Sequence, residues 1–452
     1  MVHFTSLAAV AAAAVLASSP LVSASAHQHI KRQATATSKL PASLSSAIKD
    51  ITSGVPKHTP TYTLSTTYSA GATNTFISGA PALPATTALT IADFPTLDVV
   101  PPTNSSQAKA WLAQYDLSGV PDIPVTTDSA SCSSNAENLA DAAKNHWWTC
   151  GGYTTDTDIT VCPDENTWGV SYDDGPSPYT PKLLKALEDN GDLKATFFVV
   201  GSRVLSRPEM LQYEYMQGHQ ISVHTWSHPA LTTLSNEEIL LELAWTKEVI
   251  RQTIGVTPNT MRPPYGDIDD RVRAICKLLD LTPIIWTSTS DGSNFDTNDW
   301  QIQGGAVSTE EVVETFETIL EKVPTLDTGY IVLQHDLYEQ STELAVDVVL
   351  PIALSMQPTQ SLMPIITCLK QDLGNAYIET NANTSESEPY ATGTSSVASQ
   401  TRTSTAGGST GTSGGSSSSS DTTSTSGAMT LAVAGPVAAL AGLVSFGMAL
   451  LA

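Results

Sequence analysis

The sequence predicts an α/β fold, a parallel sheet closed or nearly closed as a barrel, over about residues 162–375. Three observations carry this. Short apolar runs alternate with stretches of helical period, which implies βα units and a parallel sheet. Two of the helical stretches open on a serine with glutamate three residues later, the capping-box signature. Polar clusters then follow one apolar run after another, and in barrels of this kind the chemistry sits where strands end.

In chain order, "TWGVSY" (167–172) is the first predicted strand, a helix follows at 181–190, and "ATFFVV" (195–200) and "QISV" (220–223) are strands. Ser235 with Glu238 caps a helix whose apolar positions include Ile239, Leu243, Ile250 and Ile254, and Gly255 is placed to end it. "NTM" (259–261) precedes a helix near 269–280, and "TPIIWT" (282–287) is another strand. Ser308 with Glu311 caps a helix to Val323, before the strand "GYIVLQ" (329–334).

The flanks differ in texture. Residues 1–26 hold an apolar stretch, Leu7 to Ala17, and a small-residue stop, Ala24-Ser25-Ala26, the pattern of a secretory signal peptide. Lys31-Arg32 offers a second, dibasic processing site. Residues 27–105 are rich in Ser, Thr, Pro and Ala, which predicts a flexible, O-glycosylated arm. Residues 106–160, with a short helix around Trp111, are expected to form a cap on the main domain. A Ser/Thr/Gly-rich linker (376–427) leads to an uncharged apolar tail within 428–452. Small residues, a polar spacer and a terminal apolar tail fit a GPI attachment signal, with Ser418, Ser419 and Ser420 as the expected site and Ser426 or Gly427 as alternatives. The competing expectation is a single membrane-spanning helix, but no basic stop follows the tail.

The 452 residues include 45 acidic and 21 basic side chains, a net charge of −24. That balance argues against nucleic acid as a partner, because phosphate binding needs a basic footprint. Five cysteines in a secreted chain suggest disulfides with one left over. Cys132 and Cys150 flank a short segment, Cys162 and Cys368 bracket nearly the whole α/β region, and Cys276 lies in the apolar helical pattern "VRAICKLLDL" as a buried free thiol. Asn104 and Asn383 begin N-glycosylation acceptor triplets.

The polar clusters are Asp173-Asp174-Gly175, His224 with His228 four residues on, Arg262-Pro263-Pro264-Tyr265-Gly266, Asp299-Trp300, and His335-Asp336. Each alone is a common turn or loop sequence. Together they make a complete hydrolytic site. The four-residue spacing puts His224 and His228 on one side of a helical turn. Two histidines and one aspartate of 173–174 give three ligands to zinc and leave a fourth position open, as in catalytic sites. Zinc lowers the pKa of bound water to about 7. A second carboxylate can take a proton, and a separate histidine can protonate a leaving group.

In these motifs the chain resembles the NodB-type polysaccharide deacetylases, carbohydrate esterase family 4: "SYDDGPS", "HTWSH", "RPPYGD", "DTNDW" and "VLQHD" occur in the family's order. Tyr172 stands where the family usually has Phe, and the stretch between Trp286 and Asp299 is longer than in many relatives. The cysteine positions, serine-rich tail and anchor signal resemble fungal GPI-anchored chitin deacetylases of the cell-wall mannoprotein type. The resemblance implies a distorted (β/α) barrel, usually of seven strands, and one divalent metal, zinc or cobalt. It implies Asp173 as general base, Asp174, His224 and His228 as metal ligands, and Arg262 as the residue that tunes Asp173. Tyr265 would offer its backbone N–H to the oxyanion. His335 would be the general acid, oriented by Asp299, with Trp300 and Leu333 walling the acetyl pocket. Cys162 with Cys368 would be the family's disulfide, and Cys132 with Cys150 is expected as a second. The implied substrate is chitin, the products chitosan and acetate, and the partner a lipid anchor in the plasma membrane. O-acetylated xylan and a non-catalytic wall mannoprotein are the competing expectations.

Overall fold

The computed structural model describes residues 42–54, 56, 60, 63–127 and 132–382. The signal peptide, Asn383, Ser418 to Ser420 and the apolar tail lie outside the described residues.

Among the described residues eight short strands build the centre: β1 (Thr167–Gly169), β2 (Ser171–Asp173), β3 (Thr196–Val199), β4 (Gln220–Val223), β5 (Thr260–Met261), β6 (Thr282–Pro283), β7 (Tyr330–Ile331) and β8 (Ser361–Met363). All pairings between them are parallel, in the orders β2-β3-β4-β5-β6 and β7-β1-β8. The predicted strand 167–172 is thus one run that changes sheets at Val170, β1 pairing with β7 and β8 while β2 pairs with β3. Backbone bonds close the ring. Thr287 N donates to Ile331 O at 3.0 Å, Asp173 N to Gln334 O at 2.9 Å, and Asp336 N to Asp173 O at 3.1 Å. With β1 and β2 counted as one run, seven extended runs surround the axis, a distorted barrel as expected. Strands covered on both faces can be apolar throughout, and Phe197, Phe198, Ile221, Val223, Tyr330 and Ile331 are at most 1% exposed.

Both capping boxes are present. Ser235 Oγ accepts Glu238 N and Glu238 Oε2 accepts Ser235 N at the start of the Asn236–Ile254 helix, which Gly255 ends in left-handed conformation at φ 83°. Ser308 and Glu311 do the same for Thr309–Lys322. The predicted helices at 181–190 and 269–280 are observed at Thr180–Asp189 and Asp270–Leu278. Helices Gly201–Ser206, Pro208–Met216, Glu339–Leu344 and Leu350–Ser355, and strand β8, complete the barrel without a sequence expectation. In Pro208–Met216, residues 211–216 are all buried, so no polar face marks the helical period.

The described residues between 42 and 105 correct the expectation of a flexible arm over 27–105. The helix Ala42–Asp50 buries Leu44 and Ile48. Further on, Ile77 and Leu83 are buried, Asn74 Nδ2 donates to Tyr215 O at 2.7 Å, and Gln212 Nε2 donates to Pro84 O at 3.0 Å. The segment lies on the helix Pro208–Met216 through isolated anchors, so it needs no periodicity of its own. Asn104 is exposed. Residues of the segment 106–160 pack on the domain. The Trp111 ring meets Trp245 edge-on at 4.8 Å, and Trp147 Nε1 donates to Asp267 Oδ1 at 3.1 Å. Cys132 is bonded to Cys150 and Cys162 to Cys368, while Cys276 is a buried free thiol. Among the described residues no helix is long and apolar enough to cross a membrane.

Candidate metal and catalytic site

The sequence clusters converge at the C-terminal ends of the strands. Asp173 is the last residue of β2, and Asp174 leaves it with φ 79°. The next residue has to be small: a Cβ on Gly175 would stand 2.5 Å from Asp336 Oδ2. His224 follows β4 directly.

The segment from His224 to His228 corrects the expected helical turn. It is a loop, with Thr225 and His228 in left-handed backbone at φ 66° and 62°. Tyr265, in the Arg-Pro-Pro-Tyr-Gly loop, is also left-handed at φ 60°. Such non-glycine conformations cost on the order of 1–3 kcal/mol each and persist where the surroundings over-determine them. Here they turn Asp174, His228 and Tyr265 toward one point.

His228 Nε2 lies 3.0 Å and His224 Nε2 3.4 Å from Asp174 Oδ1. One ligand atom from each of the three residues lies within 4.8 Å of the others. Arg262 O sits 2.7 Å from His224 Nδ1 and can only accept, so Nδ1 carries the proton and Nε2 presents a lone pair to the cluster. Burial lowers the His228 pKa more than the charge and hydrogen bond of Asp174 raise it. Burial alone would raise Asp174, but His228, His224 and Arg203 hold its carboxyl well below the usual range. An ionised carboxylate with a buried Oδ1 therefore faces the Nε2 atoms of two imidazoles. That donor set fits a divalent cation, with zinc and cobalt both acceptable.

Asp173 serves a different partner. Its Oδ1 accepts from Arg262 Nη1 at 2.6 Å, and its Oδ2 lies 3.9 Å from His224 Nε2. Arg262 is fully buried, anchored also to Ser171 Oγ at 3.0 Å, with its guanidinium 4.0 Å from the Phe198 ring centre. Across the barrel seam Asp173 pairs with His335 in a parallel bridge. His335 Nδ1 donates to Asp299 Oδ1 at 2.6 Å, and His335 N donates to Asp299 Oδ2 at 2.9 Å. Burial would lower the His335 pKa, but the charge and hydrogen bond of Asp299, helped by Asp174 and Asp173, push it up to about 10. The imidazole is thus kept as an acid at neutral pH.

Tyr265 (56% exposed) and Trp300 (42% exposed) are the large side chains left open to solvent around these groups, with Leu333 5% exposed. The Tyr265 ring meets His228 edge-on at 4.8 Å. The structure also brings in Arg203, which the motifs do not single out, and gives a place to Asp336 of the last cluster. Arg203, in the helix after β3, donates from Nη1 to Asp174 O at 2.6 Å. Asp336 takes the Thr180 hydroxyl at 2.5 Å on Oδ2 and the Ser177 hydroxyl at 2.5 Å on its carbonyl, and burial pushes its carboxyl up to about 7. Arg203 lies outside any strand-end cluster, so no local signal marks it.

Residues 160–284 match the family described as polysaccharide deacetylase. Chitin deacetylase 1 of Cryptococcus neoformans var. grubii is 58% identical over 368 residues, covering 80% of this chain and 76% of that protein. Chitin deacetylase 2 of Cryptococcus neoformans var. neoformans is 35% identical over 265 residues, covering 56% of this chain and 55% of that protein. Among solved structures, the chitin deacetylase from the fungal pathogen Colletotrichum lindemuthianum aligns with a TM-score of 0.43 and 28% identity, covering 49% of this chain and 95% of that one. With the larger part of its length shared with the first of these relatives, the chain belongs to the polysaccharide deacetylase family.

Proposed function

We propose that this chain hydrolyses the N-acetyl groups of chitin, leaving chitosan and acetate, in remodelling of a fungal cell wall. One observation carries the chemistry: the donor cluster of Asp174, His224 and His228 occurs together with a carboxylate tied to Arg262 and an imidazolium tied to Asp299. Identity to chitin deacetylases supports the substrate.

Asp174, His224 and His228 would hold one zinc or cobalt ion, which supplies Lewis-acid activation of water and of the acetamide oxygen. Asp173 takes the proton of the attacking water, and Arg262 keeps that carboxylate oriented. Negative charge that develops on the acetamide oxygen is met by the backbone N–H of Tyr265. His335 gives its proton to the departing nitrogen as the C–N bond breaks, while Asp299 holds the ring in place. Trp300 and Leu333 wall the acetyl group. The buried acid–base pairs exist before substrate arrives, so little reorganisation is needed during reaction.

The secretory leader, the glycosylation triplets at Asn104 and Asn383 and the anchor signal support a glycosylated protein held at the outer membrane face or in the wall. Phosphatidylinositol-specific phospholipase C should release it from membranes. A mature protein that retains residues 428–452 sinks the anchor. For the activity, purified protein is incubated with defined chitin oligomers and with acetylated xylan, and mass spectrometry counts the acetyl groups lost. Loss from xylan alone overturns the choice of chitin, and loss from neither overturns the enzyme.

A further inference from the structure

The loop between the two histidine ligands, Thr225-Trp226-Ser227, is held by one carboxylate from elsewhere in the chain. Glu242, on the helix Asn236–Ile254, is fully buried. Its Oε2 accepts Trp226 N at 2.7 Å and Ser227 N at 2.9 Å, and its Oε1 accepts Ser227 Oγ at 2.5 Å. A second brace comes from the N-terminal segment. The Phe94 ring lies parallel to Trp226, 5.9 Å between centres and 3° between planes, and Thr96 O accepts Trp226 Nε1 at 3.0 Å.

The loop needs such bracing because its conformation is not one the chain adopts freely. Thr225 is β-branched and left-handed, and His228 after it is left-handed too. Two consecutive N–H groups that converge on one oxygen fix the peptide planes at 226 and 227, and these planes set where His228 starts. Thr225 Oγ1 then accepts His228 N at 3.0 Å and completes the turn.

We propose that Glu242 is a positioning residue for the metal ligands: by gathering the inward donors of Trp226 and Ser227, it keeps His224 Nε2 and His228 Nε2 converged on Asp174. Glu242 touches neither the ligands' ring nitrogens nor the substrate pocket, so it acts through the loop. Outer partners of this kind tune metal affinity by about 10- to 100-fold. The inference rests on the reading of Asp174, His224 and His228 as a metal site.

Chelator competition with zinc alone tests it, alongside the melting temperature of the metal-free protein. Glu242→Leu should weaken zinc binding about 10- to 100-fold. Glu242→Gln should return it to within about threefold of the native protein, because the amide oxygen still accepts both N–H groups and the amide nitrogen can donate to Ser227 Oγ. A purely structural role would lower both variants' metal-free melting temperatures and leave zinc affinity in place, which overturns the proposal. Should Glu242→Leu not fold, Glu242→Asp, one methylene too short to reach both N–H groups, carries the same test, and unchanged zinc affinity there overturns it equally. A native protein that binds no zinc defeats the metal reading itself. Tight native binding with an unaffected Glu242 variant defeats the positioning role alone.

Discussion

Asp173 and Arg262 form an ion pair shut off from solvent, 2.6 Å from Oδ1 to Nη1, with side chains 2% and 0% exposed. The neighbouring Asp174 could not share this partner along an extended strand, because successive side chains face opposite sides. Its φ of 79° breaks the alternation and turns the second carboxylate to the histidines. Adjacent acids of the same type thereby acquire different chemistry from backbone conformation alone.

The two aspartates should therefore fail in different ways. Asp173→Asn keeps the ligand set, so metal content after dialysis should match the native protein while turnover falls roughly 10²–10⁴-fold, the usual share of general acid–base catalysis. Asp174→Asn substitutes a neutral, weaker ligand, so metal should be lost on dialysis and excess zinc should restore part of the activity. Elemental analysis beside turnover checks both. A metal-free Asp173→Asn protein reverses the assignment.

Asp299 sets the pH range of the acid. Burial opposes the His335 charge, and Asp299 overcomes that opposition to hold the imidazolium up to about pH 10. Because the folded value is raised, the contribution of His335 to stability is fully present below the unfolded value of 6.5 and is lost as pH rises through about 10. Asp299→Asn removes the charge but leaves the burial, so the imidazolium deprotonates at lower pH. The alkaline limb of kcat should move down by about one pH unit or more. An unmoved limb in the pH–rate profile would remove His335 from the role of acid.

Much of this site was legible because its residues sit where strands stop. The five polar clusters and both capping boxes each have short, local signatures, whereas the pairing of Cys162 with Cys368 was implied only by the family resemblance. The loop from His224 to His228 was not legible as a loop, since a four-residue spacing suits a helical turn equally well. What decides is the bracing by Glu242 and Phe94, contributed from distant parts of the chain. The helix Pro208–Met216 has no polar face to mark its period, since residues 211–216 are all buried. The segment before residue 105 was misjudged because anchors such as Asn74 and Leu83 are scattered, and composition records their neighbours instead.

The disulfide between Cys162 and Cys368 spans 206 residues and joins the entry of β1 to the helix after β8. Chain-entropy reasoning puts the stabilisation from so long a loop at about 5 kcal/mol. Cys162→Ser with Cys368→Ser should lower Tm by on the order of 10 °C, given about 2–4 °C per kcal/mol in domains of this size. Differential scanning calorimetry of zinc-loaded proteins checks it. The shorter Cys132–Cys150 loop, with a separation of 18, should contribute less. A larger fall on losing that bridge would show that the cap, not the barrel closure, limits stability.

Trp300 and Leu333 are proposed to wall the same acetyl pocket, yet they should respond differently to truncation. Trp300 is 42% exposed, and the bond from neighbouring Asp299 to His335 is made without its ring. Trp300→Ala should leave Tm nearly unchanged and lower kcat/KM on a chitin oligomer about tenfold, chiefly through KM, as expected for a contact made equally with substrate and transition state. Leu333 is 5% exposed and lies in the wall itself, where Leu333 N donates to Phe295 O at 2.9 Å. Leu333→Ala opens a cavity and should cost about 2–5 kcal/mol of stability, visible as a lower Tm before any substrate is added. Kinetics and calorimetry on the two variants separate pocket from core. If Trp300→Ala lowers kcat with KM unchanged, the ring acts on the transition state, and its place is beside the proton of His335 rather than along the sugar.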